Sequence, residues 1–381
     1  MISITSKLPH VGTNIFSVMS QLAAEYNAIN LSQGFPDFEC PSELVSLVSK
    51  HMQRGHNQYA PMPGIMALRE KIADKINKLH GSRYHPDTEV TVTAGGTQAI
   101  FTALSAVIQP NDEVIILEPA YDCYSPSIKL LGGLVKSMEL SAPDYKIDWG
   151  LLKKMISNYT RLIILNSPHN PTGIVLSEED IKQLIQLTHG TDILILSDEV
   201  YEHIIFDGKP HLSMARYPEL RERSFIVASF GKLFHNTGWK MGYCVAPAFL
   251  MAEFRKIHQF LVFSVNTPIQ YAVADFLSDE SFYLELKHFY QQKRDKFRSL
   301  MSETRFDLLP CHGSYFQCVQ YSRIANEPDL EFAKRLTMDF GVAGIPVSAF
   351  LSHKTDEQVL RFCFAKKQET LEKAVERLIK V

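Results

Sequence analysis

The sequence lacks the paired cysteines of a disulfide framework or a zinc site. Its six cysteines are scattered over 381 residues without a CxxC pair, and its fourteen histidines form no HExxH motif. In a chain of this length, scattered cysteines indicate reduced structural thiols. We therefore expect a cytoplasmic location and no metal site.

The sequence also has little excess charge and no long apolar run. Lys and Arg total 39 against 42 Asp and Glu, a formal charge of −3, which argues against a nucleic-acid-binding surface or a polybasic membrane anchor. The longest apolar runs, such as residues 162–165, are far too short to span a bilayer. Residues 1–7 show no signal-peptide pattern. We expect neither a nucleic-acid partner nor a membrane partner.

Short β-rich runs alternate with longer helical ones between residues 88 and 247. Several of the β-rich runs are apolar on successive residues, which is typical of strands buried on both faces of a mainly parallel sheet. Helices are predicted between them, for example over residues 97–108 and 178–187. The pattern predicts an α/β fold. The candidate strands are Val90–Ala94, Glu113–Leu117, Leu134–Met138, Leu162–Asn166, Ile193–Ser197, Phe225–Ser229 and Met241–Val245.

The pattern changes after about residue 275. A long helical stretch over residues 281–303 leads into a β-like run at 314–319, and residues 369–381 carry an apolar stripe at helical spacing. This pattern predicts a second, smaller α+β domain. We expect residues 1–40 to be an N-terminal segment joining the small domain, residues 41–275 to be the large domain, and residues 276–381 to be the small domain.

Four loops at the ends of predicted strands carry unusual side chains. In a doubly wound sheet, functional groups gather just past the carboxyl ends of the strands. Singly, each loop has an ordinary explanation: a glycine turn, a rigid proline turn, a helix cap or metal-binding acidic pair, and a solvated lysine. The absence of GxGxxG and GxxxxGK[ST] disfavours ordinary dinucleotide and nucleoside-triphosphate sites. The loops are Ala94-Gly95-Gly96-Thr97, Asn166–Gly173, Ser197–Tyr201 and Ser229–Lys232, the last followed by Lys240.

Taken together, the Asn-Pro-Thr-Gly, Ser-Asp-Glu-Val-Tyr, Ser-x-x-Lys and Gly-Trp-Lys-x-Gly segments resemble the class I aminotransferases, which use pyridoxal 5'-phosphate on the fold-type-I scaffold. Further segments look like the branch that contains methionine and kynurenine–glutamine aminotransferases, so the resemblance spans nearly the whole chain. It implies a large cofactor-binding domain around a mainly parallel seven-stranded sheet. These further segments are residues 30–38, 57–59, 118–124 and 360–364.

The resemblance implies a role for each matched residue at the cofactor. Lys232 matches the lysine that bonds covalently to the cofactor and moves the proton, and Asp198 matches the carboxylate that keeps the pyridine nitrogen protonated. Tyr201 matches a catalytic tyrosine beside the phenolic oxygen of the ring. Many relatives carry arginine where Lys240 stands. The matched cofactor-binding residues are Tyr59, Gly96, Thr97, Tyr121, Asn170, Asp198, Tyr201, Ser229, Lys232 and Lys240.

Tyr59 matches a tyrosine that reaches the phosphate from the neighbouring subunit. The resemblance therefore implies a homodimer with its site at the subunit interface. It also implies an amino acid and a 2-oxo acid as the small-molecule partners, bound in turn by a ping-pong mechanism.

For the substrate, the resemblance implies that Arg361 grips the α-carboxylate, together with the backbone N–H of Gly34 and the side chain of Asn170. Apolar walls from Ile15, Phe16 and Phe263 suit thioether or aromatic side chains better than carboxylates. Kynurenine aminotransferases typically carry tryptophan near the position of Ile15. This departure favours methionine as the amino donor.

Other functions fit the same segments. A kynurenine or glutamine aminotransferase with cysteine-conjugate β-lyase activity is the main alternative, because the same cofactor site supports β-elimination. A related synthase reaction on S-adenosylmethionine is a lesser one. A non-catalytic, ligand-sensing aminotransferase-like protein is a remote alternative, since it would leave Lys232, Asp198 and Arg361 together unexplained.

Overall fold

The computed structural model describes residues 4–9 and 11–381. Residues 1–3 and 10 of the expected N-terminal segment 1–40 therefore lie outside the described residues. Residues 1–3 also belong to the stretch 1–7, which shows no signal-peptide pattern. Strands in the described part of the chain are β1 (Ile29–Asn30), β2 (Val90–Thr93), β3 (Glu113–Glu118), β4 (Leu134–Glu139), β5 (Thr160–Asn166), β6 (Leu194–Asp198), β7 (Ser224–Ser229), β8 (Gly242–Val245), β9 (Asp307–Leu308), β10 (Phe316–Gln320), β11 (Val342–Ala343), β12 (Ile345–Pro346) and β13 (Val359–Cys363).

The α-helices surround these strands. In the described part of the chain they are α1 (Ile15–Glu25), α2 (Ser42–Gln53), α3 (Met66–His80), α4 (Gly96–Val107), α5 (Tyr124–Leu130), α6 (Trp149–Met155), α7 (Glu178–Thr188), α8 (Pro218–Arg221), α9 (Phe230–Leu233), α10 (Ala248–Leu261), α11 (Thr267–Phe276), α12 (Ser281–Leu284), α13 (Leu286–Met301), α14 (Asp329–Asp339) and α15 (Gln368–Leu378). The predicted helices at 97–108 and 178–187 correspond to α4 and α7, whereas the predicted 281–303 helix is divided at Glu285 into α12 and α13.

A seven-stranded sheet forms the centre of the fold, in the order β2-β8-β7-β6-β5-β3-β4. The strands from β7 to β4 run parallel, and only β8 runs antiparallel to its two neighbours. The predicted α/β fold with a mainly parallel seven-stranded sheet is confirmed. The predicted strands agree with β2–β8 to within two residues at each end. The largest difference is at Thr160 and Arg161, polar residues that join β5 ahead of its apolar run.

Both faces of this sheet are buried, which explains the uninterrupted apolar runs. Ile115 belongs to the apolar cluster on one face, with residues of α3, and its neighbour Ile116 belongs to the cluster on the other face, with residues of α4 and α10. Successive side chains of a strand point to opposite faces, so β3, β5, β6 and β7 each contribute to both clusters.

Two smaller sheets lie outside the central one. A four-stranded antiparallel sheet has the order β12-β13-β10-β9, and β1 pairs in parallel with β11, with Ile29 opposite Val342. The β1–β11 pairing brings the residues just before Gly34 next to the sheet that contains β13. No helix in the described ranges is long and apolar enough to cross a membrane.

Candidate active site

The candidate site is a cavity at the carboxyl ends of the parallel strands. Asn166 and Asp198 are the last residues of β5 and β6 and stand opposite each other, and Ser229 ends the next strand, β7. Twelve of the fifteen residues predicted from the sequence line this one cavity, although they come from positions 16 to 361. They are Phe16, Gly34, Gly96, Thr97, Tyr121, Asn170, Asp198, Tyr201, Ser229, Lys232, Lys240 and Arg361.

Asp198 is a buried carboxylate in this cavity. Its Oδ2 accepts a hydrogen bond from the Tyr124 hydroxyl at 2.5 Å, and its Oδ1 accepts one from the Val200 N–H at 3.3 Å. Burial raises the pKa of Asp198 to about 6, while these two hydrogen bonds and the charge of Lys232 oppose the rise. Within the described residues its carboxylate forms no ion pair within 4 Å. A cationic ring nitrogen is a group that such a carboxylate would stabilise.

Lys232 lies in α9, the short helix that begins directly after β7. Its Nζ donates hydrogen bonds to the Tyr315 hydroxyl at 2.7 Å and to the carbonyl oxygen of Gly34 at 3.2 Å. Burial lowers the pKa of Lys232 to about 8; the nearby cations of Arg361 and Lys240 lower it further, while Cys363 and Asp198 act in the opposite direction. A larger fraction of the amine is therefore neutral near pH 7 than in a solvated lysine, as a nucleophile or base requires.

The start of α4 forms the anion-binding end of the cavity. The first N–H groups of a helix have no acceptor within the helix, and here the N-cap, Gly95, offers no side chain to them. Gly95 has φ +82°, and a Cβ placed there would come within 3.4 Å of the Lys240 ammonium nitrogen. An ammonium group beside a free helix N-terminus is a suitable environment for a phosphate dianion. Tyr121 adjoins this end through a 3.3 Å contact between its hydroxyl and that of Thr97.

Arg361 is fully buried in β13 at another wall of the cavity. It donates to the Asn170 side-chain oxygen and to the Ser32 carbonyl oxygen, each at 2.8 Å, while its Nε has no partner within the described chain. The Phe316 ring lies under the guanidinium, 3.9 Å from its carbon. Burial lowers the pKa of Arg361. No carboxylate of the described residues lies within ion-pairing distance, so the site has the chemistry of a receptor for an anionic ligand.

The residues beside Tyr201 and Asn170 explain how both are held. The Tyr201 ring is buried and packs edge-on against Tyr315 at 5.1 Å, and burial raises the pKa of its hydroxyl. Asn166 accepts the N–H of Asn170 at 2.7 Å and donates to the Asp198 carbonyl oxygen at 2.9 Å. Asn166 thereby connects the loop that carries Asn170 to the end of β6.

Sequence reasoning assigned no role to several side chains that surround these groups. Asn166 and Tyr124 stood inside the quoted segments and so could have been found there. Tyr315 lies 83 residues from Lys232. No local pattern indicated that it would contact Lys232.

Three predicted residues do not line the cavity. Ile15 is partly buried against the apolar core. Tyr59 and Phe263 are on the surface, 82% and 48% exposed, and their rings pack edge to face with centroids 5.3 Å apart. The cavity walls of a single chain therefore include Phe16 but not Ile15 or Phe263.

Comparisons with known proteins give a consistent result. The family model described as aminotransferase class I and II matches residues 26–378. The chain is 50% identical to the methionine aminotransferase of Escherichia coli, over 98% of this chain and 97% of the relative. It is 34% identical to a kynurenine–oxoglutarate transaminase of Dictyostelium discoideum, over 97% and 94% of the two chains. The crystal structure of Escherichia coli YbdL, reported with a methionine aminotransferase function, superposes with a TM-score of 0.98 at 49% identity and covers both chains completely.

Proposed function

The chain belongs to the class I and II aminotransferases, enzymes that use pyridoxal phosphate, and we propose that its amino donor is an apolar, thioether or aromatic L-amino acid, with methionine favoured. A 2-oxo acid accepts the amino group in the second half of a ping-pong cycle. The observation that carries the proposal is the placement of Arg361. This buried guanidinium, which has no anionic partner among residues 4–9 and 11–381, shares a cavity with a lysine whose pKa is lowered to about 8.

The residues present fit the cofactor. When bound, pyridoxal phosphate supplies an electron-withdrawing ring that stabilises negative charge at the substrate Cα. In our proposal Lys232 carries it covalently and then moves the Cα proton, and Asp198 holds the ring nitrogen. Tyr201 and Asn170 would donate to its phenolic oxygen, and Tyr121 would stack on the ring. Gly96, Thr97, Ser229 and Lys240 would hold the phosphate.

The amino acid binds with its α-carboxylate on Arg361, assisted by the Gly34 N–H and the Asn170 side chain. Asn170 already accepts a hydrogen bond from Arg361, and both residues line the same cavity as Gly34. Phe16 and Phe350 lie 5.2 and 5.3 Å from the guanidinium carbon. Phe16 lines the cavity, and its apolar ring supports an uncharged substrate side chain. Together with the 50% identity to a methionine aminotransferase, it favours methionine over a dicarboxylic amino acid.

We propose a homodimer in which Tyr59 reaches the cofactor phosphate of the partner subunit and Phe263 borders the partner's substrate pocket. Both residues are exposed and away from their own chain's cavity, and Phe260 nearby in sequence is 87% exposed. Exposed aromatic side chains in one region are typical of a protein interface. Sedimentation of the holoenzyme at micromolar concentration tests the dimer directly.

We also propose that the chain divides into an N-terminal segment (1–40), a large domain (41–275) and a small domain (276–381). This division is supported by the confinement of the seven-stranded sheet to residues 90–245 and of the four-stranded sheet to residues 307–363.

We further propose a cytoplasmic location, which is supported by six free cysteines.

The first experiment is a visible absorption spectrum of the purified protein with pyridoxal phosphate, followed by L-methionine without an acceptor. We expect methionine to convert the cofactor to its amino form and to release one equivalent of 2-oxo acid. Faster conversion by aspartate than by methionine would contradict the proposed substrate class. Steady release of pyruvate and ammonia from a cysteine conjugate, without an acceptor, would instead support the β-lyase alternative.

A further inference from the structure

Tyr315 and Gly34 form a closed hydrogen-bonded triangle with the amine of Lys232. Tyr315 is fully buried and directly precedes β10. Its hydroxyl donates to the Gly34 carbonyl oxygen at 2.5 Å and accepts an N–H from Lys232 Nζ at 2.7 Å. Lys232 Nζ also donates to the Gly34 oxygen at 3.2 Å. The amine thus donates to two acceptors. One of them, the Tyr315 hydroxyl, also donates to the other, the Gly34 carbonyl oxygen.

Two acceptors match a neutral amine better than an ammonium ion. A neutral amine has two N–H bonds and one lone pair, whereas an ammonium ion has three N–H bonds and no lone pair. With both N–H bonds directed to Tyr315 and Gly34, the lone pair is the position left unengaged. In the ammonium form, one N–H would lack a partner among the described residues.

We propose that Tyr315 is a positioning residue for Lys232, which holds Nζ with its lone pair free to take the proton from the substrate Cα. In this step a new N–H bond forms at Nζ while the electron pair of the Cα–H bond stays with the substrate. The inference rests on the proposed function of Lys232 and extends it to a residue that does not line the cavity.

Tyr290 offers a matched control. Its ring is fully buried, with its centroid 5.7 Å from that of Tyr315, and its hydroxyl has no hydrogen-bond partner in the described chain. Tyr290→Phe therefore removes the same group from the same aromatic cluster without breaking a hydrogen bond to Lys232. Circular dichroism and thermal melting of both variants establish that each is folded.

The first test uses the cofactor-free protein and measures Lys232 itself. Trinitrobenzenesulfonate reacts with neutral amines, so its rate at Lys232 against pH, followed by peptide mass spectrometry, gives the midpoint of the amine's titration. The two acceptors leave one N–H of an ammonium ion unpaired, but each single hydrogen bond is stronger to the charged form, so loss of the Tyr315 hydroxyl disfavours the ammonium. We expect Tyr315→Phe to move the midpoint down by about 0.5 to 1 pH unit, and Tyr290→Phe to leave it unchanged.

The second test uses the holoenzyme with methionine and with methionine deuterated at Cα. We expect Tyr315→Phe to lower kcat about tenfold or more and to raise the deuterium isotope effect, with KM within about threefold of the parent. If Tyr315 were only a tether for Gly34, KM would rise and kcat would stay, because Gly34 belongs to the proposed carboxylate grip. That result would overturn the inference.

The outcomes distinguish failure of the positioning role of Tyr315 from failure of the proposed role of Lys232. If Lys232→Ala retained transamination, the proposed role of Lys232 would fail, and the inference with it. If the parent transaminated methionine and Lys232→Ala did not, while Tyr315→Phe matched Tyr290→Phe in both tests, only the positioning role would fail.

Discussion

Two buried arginines of this protein both pack on a phenylalanine ring but differ in their ionic partners. Arg294 is 6% exposed and packs on the Phe206 ring, 4.6 Å from its centroid; Arg361 is fully buried and packs on Phe316 at 3.9 Å. Arg294 is paired with Asp207 and Asp295 at 2.6 and 2.7 Å. Among the described residues, the hydrogen-bond acceptors of Arg361 are neutral oxygens.

The difference distinguishes Arg294, whose charge is paired within the fold, from Arg361, whose charge can bind an anionic ligand. Desolvating a guanidinium is costly unless an anion compensates it. The carboxylates compensate Arg294 within the chain, and they raise its pKa against the opposing effect of burial. At Arg361 burial lowers the pKa, and no carboxylate of the described residues lies within ion-pairing distance, so a bound anion is the partner that would stabilise its charge. Asp198, which is buried and has no ion-pairing cation among the described residues, is the acidic counterpart of Arg361.

The largest effect should follow neutralisation of Asp198. We expect Asp198→Asn to lower kcat for transamination about 10³-fold, because the neutral amide no longer stabilises a positive charge on the bound ring nitrogen. Steady-state kinetics at saturating cofactor measure this change. Tyr124→Phe, which removes only the 2.5 Å hydrogen bond to Asp198, should have a smaller effect. Equal losses in the two variants would show that the hydrogen bond, not the charge, is what matters.

The second prediction compares the arginines directly. We expect Arg361→Ala to lower kcat/KM for methionine about 100-fold by loss of a charged carboxylate contact, with little loss of stability. Arg294→Ala should leave the KM for methionine unchanged and lower the free energy of unfolding by about 2 kcal/mol. Kinetics and urea unfolding of both variants provide the readouts. The reverse pattern would contradict a ligand-binding role for Arg361 and a stabilising role for Arg294.

The third prediction concerns the stability of the cofactor-free protein against pH. Asp198 has a pKa near 6 in the fold against an ordinary 3.8, so its contribution to stability is present below about pH 4 and is lost as the pH rises through 6. At pH 7.5 the charged carboxylate therefore destabilises the fold. We expect Asp198→Asn to raise the free energy of unfolding there by about 3 kcal/mol, and to have no such effect at pH 4.

Saturating cofactor serves as the control for this prediction. A bound cation stabilises the Asp198 carboxylate, so the order of stabilities at pH 7.5 should reverse when both proteins are loaded. Thermal melting of the two proteins, with and without cofactor, measures all four states. If Asp198→Asn remained more stable than the parent with cofactor bound, Asp198 would not lie beside the positive charge of the cofactor.

The smallest effect is expected at the anion-binding end. Lys240→Ala should weaken cofactor binding about tenfold, since one partly solvated charge is lost while the start of α4 remains. Lys240→Arg should bind at least as tightly as the parent, because its fork can contact two phosphate oxygens. Absorbance titrations give both affinities. Lys209→Ala, a change at an exposed lysine away from the cavity, is the control, and a similar loss there would point to net charge instead.

The residues at the ends of β6 and β7 could be predicted from the sequence more directly than Arg361 could. The apolar runs of β6 and β7 predict these two strands, and Asp198, Ser229 and Lys232 stand at or just past their carboxyl ends. The carboxyl ends of neighbouring parallel strands lie at the same edge of a sheet. Their neighbourhood could therefore be predicted from local pattern. Arg361 and Ser32 come from β13 and from the residues after β1, 329 positions apart, and only the small sheets bring them together. The proposal for Arg361 came from family resemblance, because no local pattern marks it.

The sequence alone determined the elements of the central sheet and the chemical groups at their ends, because burial on both faces requires apolar runs and because loops at strand ends tolerate polar residues. Only the tertiary structure decided which groups touch. The triangle of Lys232, Tyr315 and Gly34, and the absence of an anion beside Arg361 in the described chain, depend on contacts between segments far apart in sequence. Such contacts are fixed by packing of the whole core, which no local periodicity encodes.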